Sequence, residues 1–186
     1  MRLCTLVGLA AIGLVACART SKIGGQRGDL QSAADQALHD MYRADPSLAG
    51  VVGSSHAYAI FPAVGKDGFI VEGGYGRGVV YRQNQLVGYA DVRGTQVGVL
   101  AGGETIRELL VFGTEESFTE LLKSQLRLGA DASAVLVEPE SAARTPFRNG
   151  VAVFVQPIRG VLASVAVGGQ SFSFAPSGGP TRKKQP

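Results

Sequence analysis

The chain has 186 residues and a net charge of +3, and the roughly 145 residues between its polar ends are enough for one domain to fold on packing alone. From Asp29 to Pro176, eleven Lys and Arg stand against fifteen Asp and Glu, so this segment lacks the basic excess of a nucleic-acid-binding domain. The basic excess lies in the two flanking segments.

Residues 1–16 are typical of a secretory signal peptide, because Arg2 supplies a positive charge and the apolar stretch behind it is too short to span a bilayer. Leu14–Cys17 also fits the lipobox pattern, in which the cysteine thiol receives a diacylglycerol group before the leader is cleaved ahead of it. We therefore predict a lipoprotein with acyl chains on Cys17. The alternative is cleavage by the ordinary signal peptidase, which would leave Cys17 as a free thiol or remove it. Since Cys4 would be lost with the leader, no disulfide is expected in the mature chain.

Polar segments flank the predicted domain, residues 29–176. Residues 17–28 are expected to form the lipidated cysteine and a flexible linker, and residues 177–186 a basic, disordered tail. Each segment carries three basic side chains, which beside a membrane would add on the order of 1 kcal/mol of attraction to anionic lipid per residue. Two solvated tails are the alternative interpretation.

Helical periodicity predicts three helical segments. Asp29 is expected to cap the first, which runs to about Ala44, and Pro46 to begin a short second one. Thr114 is expected to cap the third, whose first turn carries two acidic residues that favour the helix dipole.

Short apolar runs with a period of two, separated by Gly, Pro, Asn or Asp, predict strands. The runs are 57–61, 68–73, 76–82, 86–93, 96–101, 106–112, 126–137, 150–156, 160–168 and 171–174. Many of the 26 glycines lie inside them and indicate bulges, bends or close backbone approaches. The predicted fold class is α+β, with a strongly coiled, mainly antiparallel sheet or small barrel of short glycine-rich strands and about three packed helices.

The strand patterns also predict which residues face the core. The runs 150–156 and 160–168 are apolar on both faces and should be central strands. Gly76 and Gly78 are expected at bends, where a positive φ would make a side chain costly. In the run 86–93 one face is small and apolar and should point inward: Leu86, Gly88, Ala90 and Val92.

The inventory of catalytic side chains favours a non-enzymatic protein without a cofactor or a metal. The two histidines, His39 and His56, belong to no metal-spaced pair and no nucleophile motif. Ser54 and Ser55 precede His56, but no Gly-x-Ser-x-Gly pattern surrounds them, and Asp67 would have to complete such a triad.

The glycine-rich run Gly74–Gly78 has the composition of a nucleotide-binding loop. Such a loop must lead into a helix whose first amides face the phosphate. A strand pattern follows here instead, so we interpret these glycines as structural.

Several short segments follow one another in a recognisable order along the chain: Ala59–Pro62, Lys66–Val71, Tyr75–Val79, Gly98 with Gly102, Leu109–Thr114, Leu128–Asp131 and Arg159–Ala163. Together they resemble the signature segments of the SYLF family, also called the Ysc84 domain, over about residues 30 to 175. The resemblance implies a lipid-binding module, known in eukaryotes and in bacterial lipoproteins, with affinity for phosphoinositides or other anionic lipids.

We therefore expect a membrane-anchored, non-enzymatic lipid-binding module. Ala18 is not the aspartate that commonly retains lipoproteins at the inner membrane, so the expected location is the outer membrane, facing the periplasm. Four cations at predicted strand ends or turns are the candidates to reach a lipid phosphate: Lys66, Arg77, Arg93 and Arg159. Each could equally be a solvated surface charge. The alternative function is a structural envelope protein whose apolar strands bind a protein partner.

Overall fold

The computed structural model describes residues 20–65, 74–94, 105–129, 132–158 and 169–178, with side chains from Gln26 onward in the first range. The helices there are α1 (Thr20–Ala44), α2 (Ser47–Gly53), α3 (Glu115–Leu122) and a 3-10 helix at Ala142–Arg144. The strands are β1 (Ala57–Gly65), β2 (Gly74–Arg82), β3 (Gln85–Gly94), β4 (Ile106–Phe112), β5 (Arg127–Leu128), β6 (Val135–Leu136), β7 (Val151–Pro157) and β8 (Gln170–Pro176).

The strands form one strongly curled sheet, a half-barrel, in the order β5-β8-β3-β2-β1-β4-β7-β6. Neighbouring strands are antiparallel except β6 and β7, which are parallel. The predicted α+β class and the coiled, mainly antiparallel sheet are therefore confirmed. No helix in the described ranges combines the length and the apolar character that crossing a bilayer requires.

The central strands are buried on both faces, and alternate residues enter two separate cores. The outer face packs under α1, α2 and the 3-10 helix, and contributes residues such as Ile60, Leu109 and Phe154. The inner face packs against α3 and contributes residues such as Phe61 and Leu110. The run 150–156 was predicted as a central strand, and β7 confirms this because it lies between β4 and β6.

Contacts between strands that are not neighbours show that the inner face is concave. The rings of Phe61 on β1 and Phe172 on β8 lie 5.8 Å apart between centroids, although β2 and β3 separate these strands in the sheet. Glu108 on β4 reaches Gln170 on β8 in the same way, with 3.1 Å between Oε2 and Nε2. The curl therefore folds β8 back over the middle of the sheet.

Glycines on the inner face make room for the rings that fill it. A Cβ on Gly78 would lie 2.6 Å from the ring of Phe61 and 2.8 Å from the carbonyl oxygen of Ile60. A Cβ on Gly76 would lie 2.7 Å from the Val64 side chain. The β1–β2 register shifts opposite these glycines, between Ile60 and Val64, which agrees with the predicted bulge, but neither glycine has the positive φ that the sequence left open. The reason for glycine is close packing.

The first helix begins earlier than predicted. Asp29 was expected as its N-cap, but α1 starts at Thr20, so Asp29 lies inside the helix and residues 20–28 are helical rather than a flexible linker. The cap motif misled because a helix whose later turns pack against a sheet can extend through residues of weak intrinsic propensity. Thr114, by contrast, is the confirmed N-cap of α3, since its side chain accepts a hydrogen bond from the Ser117 amide.

Two other strand predictions need correction. The expected inward face of β3 holds for Gly88, Ala90 and Val92, but Leu86 packs against the outer core. The register shifts between Val80↔Gly88 and Tyr81↔Leu86, and the extra residue in this bulge reverses the alternation. The run 126–137 is not one strand but contains the two short strands β5 and β6. The predicted strands 68–73, 96–101 and 160–168 lie outside the described residues.

Candidate lipid-contacting patch at one end of the sheet

Four side chains meet on the outer face where β2 begins and β3 ends. Tyr75 pairs with Arg93 and Arg77 pairs with Asp91 in the antiparallel register. Because alternate residues share a face, all four lie on the face opposite the buried Gly76, Gly78 and Val92. The four residues occupy the corners of a square, two on each strand. The strand register places the two arginines at diagonally opposite corners.

This group is solvent-exposed and loosely paired. The Tyr75 hydroxyl donates a hydrogen bond to Asp91 Oδ1 at 3.2 Å, while Arg77 Nε lies 3.9 Å from the same oxygen. The side chains of Arg77 and Asp91 are 47% and 43% exposed. Partial burial and Asp91 raise the pKa of Tyr75, whereas Arg77 and Arg93 act to lower it. Both arginines are therefore close enough to Tyr75 to influence its ionisation.

A third arginine extends the group from the first helix. Arg27 on α1 places its guanidinium carbon 5.1 Å from the ring centroid of Tyr89, within the range of a cation–π contact. Tyr89 lies two residues before Asp91 on the same face of β3. We call the whole group the tyrosine–arginine patch: Arg27, Tyr75, Arg77, Tyr89, Asp91 and Arg93. It contains three guanidinium groups and one carboxylate, so it is locally basic within a domain whose overall balance is acidic.

The structure thus brings together two of the predicted site residues, Arg77 and Arg93. The other two, Lys66 and Arg159, and the predicted lipidation site, Cys17, lie outside the described residues. Sequence analysis missed Tyr75 and Tyr89 in this role, although their in-phase positions with the two arginines on adjacent strands could have revealed them. Arg27 had been assigned to a linker, and its contribution depends on the earlier start of α1.

The histidines and serines considered for catalysis are placed differently. His56 contacts the Glu115 carboxylate, which Arg82 also binds at 2.8 Å. The hydroxyls of Ser54 and Ser55 donate to backbone carbonyls, Val51 for the first and Val52 for the second. Neither serine hydroxyl donates a hydrogen bond to His56, and Asp67 lies outside the described residues. Within the described ranges, no three His, Cys, Asp or Glu side chains cluster as metal ligands would.

A buried acid lies inside the half-barrel. Glu108 is fully buried among apolar residues of the inner face, and its described hydrogen-bond partner is the Gln170 amide. Burial raises the pKa of Glu108 to about 7, against a smaller lowering by Gln170. Glu108 Oε1 and Gln170 Oε1 have no partner among the described atoms. The position of Glu108 in phase with Ile106 and Leu110, on the face of β4 that is otherwise apolar, is a sequence signal that could have identified it.

Comparison with protein-family models and with curated proteins found no match to this chain. The resemblance to the SYLF family therefore stays a prediction.

Proposed function

We propose that this chain is a membrane-anchored, non-enzymatic lipid-binding module of the bacterial envelope, and that its tyrosine–arginine patch contacts the head groups of anionic lipids. The observation that supports this most is the placement of Arg77 and Arg93 on either side of Tyr75, whose side chain is 41% exposed.

The chemistry of the patch suits a phosphate-bearing membrane surface. Guanidinium groups form paired hydrogen bonds to phosphate oxygens. A tyrosine ring is apolar with a polar tip, and such side chains favour the boundary between water and acyl chains. Two guanidinium groups beside an exposed ring therefore offer both parts of the contact, one to the head group and one to the layer below it.

Asp91 opposes an anionic ligand, but weakly. Its contact with Arg77 is long, at 3.9 Å, and both side chains are nearly half exposed. Exposed ion pairs of this kind contribute roughly 0 to 1 kcal/mol. Arg77 can therefore exchange Asp91 for a lipid phosphate at little cost, while the Tyr75 hydroxyl keeps the carboxylate hydrogen-bonded.

The proposed anchor would hold the patch near the bilayer. Cys17 precedes Thr20, the first residue of α1, by three residues, a length that spans at most about 11 Å. The seven residues from Thr20 to Arg27 rise about 10 Å along a helix. Acyl chains on Cys17 would therefore keep Arg27 within about 21 Å of the lipid surface. We place the module at the outer membrane, facing the periplasm, on the strength of Ala18.

The test is flotation of the mature chain carrying Cys17→Ser, which removes the acyl anchor. We expect binding to vesicles made of equal parts phosphatidylcholine and phosphatidylglycerol, weaker binding to phosphatidylcholine alone, and a loss of the difference at high salt. Arg77→Gln with Arg93→Gln should weaken binding to the mixed vesicles more than either change alone. Arg144→Gln, at an exposed position outside the patch, is the matched control.

The remaining outcomes separate the competing interpretations. Equal binding to both vesicle types would indicate apolar insertion and contradict a role for the arginines. If Arg144→Gln weakened vesicle binding as much as the double variant does, binding would depend on general surface charge and not on the patch. Binding to neither vesicle would overturn the proposal and favour the envelope protein with a protein partner.

A further inference from the structure

Among the described strands the half-barrel does not close, and its two edges leave a cleft. Within the described ranges, β5 pairs with β8 and β6 pairs with β7, and each is two residues long. They end the sheet at opposite sides. A cavity of about 350 Å³ lies between them, so it occupies the seam that a continuous ladder would have sealed.

Apolar side chains of the inner core form part of the wall of this seam cleft, beside polar side chains such as Thr145 and Asn149. Leu126, Val151 and Val153 belong to that core and also line the cleft. Leu128 of β5 and Val135 of β6 face it from the two edges. The apolar part of a ligand in the cleft would therefore contact side chains that also pack the barrel interior, and burial of that apolar area would favour its binding.

Cations predominate at the rim. Arg127 and Arg148 line the cleft, with Glu120 as the one acidic side chain among the described lining residues. Arg127 Nη1 donates to the backbone carbonyls of Ser124 and Leu126, which fixes the side chain, and its Nη2 makes no hydrogen bond to a described residue. Arg148 is exposed and forms no ion pair with a described residue. Two guanidinium groups are thus available to an anionic group at the mouth.

We propose that the seam cleft binds a single-chain amphiphile with an anionic head, of the fatty-acid class. The chain would lie against Leu126, Leu128 and Val153, and the carboxylate would meet Arg127 and Arg148. A volume of about 350 Å³ is at the small end of ligand sites, which run from about 300 to 1,000 Å³, and this favours one acyl chain over a two-chain phospholipid. The site is separate from the tyrosine–arginine patch and does not depend on it.

The test is calorimetric titration of the mature Cys17→Ser chain with dodecanoate below its critical micelle concentration. We expect one molecule bound per chain. Ser133 lines the cleft and is exposed, so Ser133→Trp should fill the space with little cost to the fold and abolish binding. Arg127→Gln with Arg148→Gln should weaken binding at least tenfold. Arg144→Gln, outside the cleft, should leave binding unchanged, and circular dichroism checks the fold of each variant.

A ligand with a cationic head tests the head-group contact, and variants of the tyrosine–arginine patch separate the two proposals. Dodecyltrimethylammonium has the same chain with a cationic head and should bind at least tenfold more weakly than dodecanoate; equal binding would overturn the proposed head-group contact. Absence of dodecanoate binding, or unchanged binding to a folded Ser133→Trp chain, would overturn the site. Arg77→Gln with Arg93→Gln should bind dodecanoate as the parent does, and Ser133→Trp should float with vesicles as the parent does. Failure of one proposal can therefore be told from failure of the other.

Discussion

At the residue scale, Glu108 has the least ordinary environment of the described acids. It is fully buried, and no charged side chain among the described residues offsets its ionisation. Burial in the barrel interior therefore favours the protonated form, against the smaller opposite effect of the Gln170 amide.

This gives a pH dependence of stability with a definite sign. The pKa of Glu108 is raised from 4.5 to about 7 in the folded protein, so its stabilising contribution is complete below pH 4.5 and declines as the pH rises through 7. We expect the free energy of unfolding of the wild type, relative to Glu108→Gln, to fall by about 3 kcal/mol over that window. Urea unfolding at several pH values measures it. Glu140→Gln, at an exposed position, should show no such change. A difference between wild type and Glu108→Gln that stays constant with pH would contradict a buried neutral acid.

Gly78 tests the packing of the inner face. An added Cβ would clash with the ring of Phe61 and with a backbone oxygen, so we expect Gly78→Ala to lower the free energy of unfolding by about 1–3 kcal/mol, as overpacking does. Gly50 in α2 has nothing within 4 Å of its added Cβ, and Gly50→Ala should stabilise by up to about 1 kcal/mol. Thermal unfolding compares the two. Equal effects of the same substitution at both sites would show that Gly78 is not a packing requirement.

At the element scale, the junction between α1 and α2 is held by a buried carboxylate. Asp45 accepts hydrogen bonds from the amide and hydroxyl of Ser47, from the amides of Glu140 and Ala142, and from the Ser141 hydroxyl. Burial acts to raise the pKa of Asp45, but these hydrogen bonds outweigh it and the pKa is lowered. One side chain thus ties two helices to a segment nearly a hundred residues further along the chain.

Loss of this carboxylate should be costly. Asp45→Ala would leave buried donors from two segments unpaired, and we expect the free energy of unfolding to fall by about 3 kcal/mol or more at neutral pH. Since the folded pKa is lowered, the difference should shrink as the pH falls below the ordinary range of an aspartate. Chemical denaturation at neutral and acid pH measures both effects. Glu138→Ala, an exposed neighbour, is the control, and a comparable loss there would contradict the assignment.

Local elements were predictable from the sequence, and their ends were less so. Strand β4 was predicted with its observed bounds, and Thr114 was correctly identified as a helix cap, because both signals lie within a few residues. The start of α1 was missed since Asp29 satisfies the cap pattern but the helix continues through it. The reversal at Leu86 was missed because a bulge depends on the partner strand, which periodicity within one run does not reveal.

At the scale of the whole molecule, the class of sheet was predictable and its closure was not. Alternating patterns and glycines within strands indicated a coiled antiparallel sheet. The contact of Glu108 with Gln170 joins residues 62 positions apart, and nothing in either local pattern indicates it. The patch was predictable in part. Arg77 and Arg93 could be placed at strand ends, each in phase with a tyrosine, but the register of β2 with β3 and the path of α1, which bring the group together, were not predictable.

The membrane anchor is the last prediction and concerns the whole protein. Acyl chains contribute about 0.8 kcal/mol per buried CH₂, whereas basic residues near a membrane contribute about 1 kcal/mol each, so chains on Cys17 would dominate the three arginines of the patch. In cells, Cys17→Ser should therefore move the protein from the membrane fraction to the soluble periplasm or leave an uncleaved precursor. Fractionation with immunodetection measures both, and Cys4→Ser, inside the predicted leader, is the matched control. Normal processing and unchanged membrane partition of Cys17→Ser would show that the chain is not held by a lipidated cysteine.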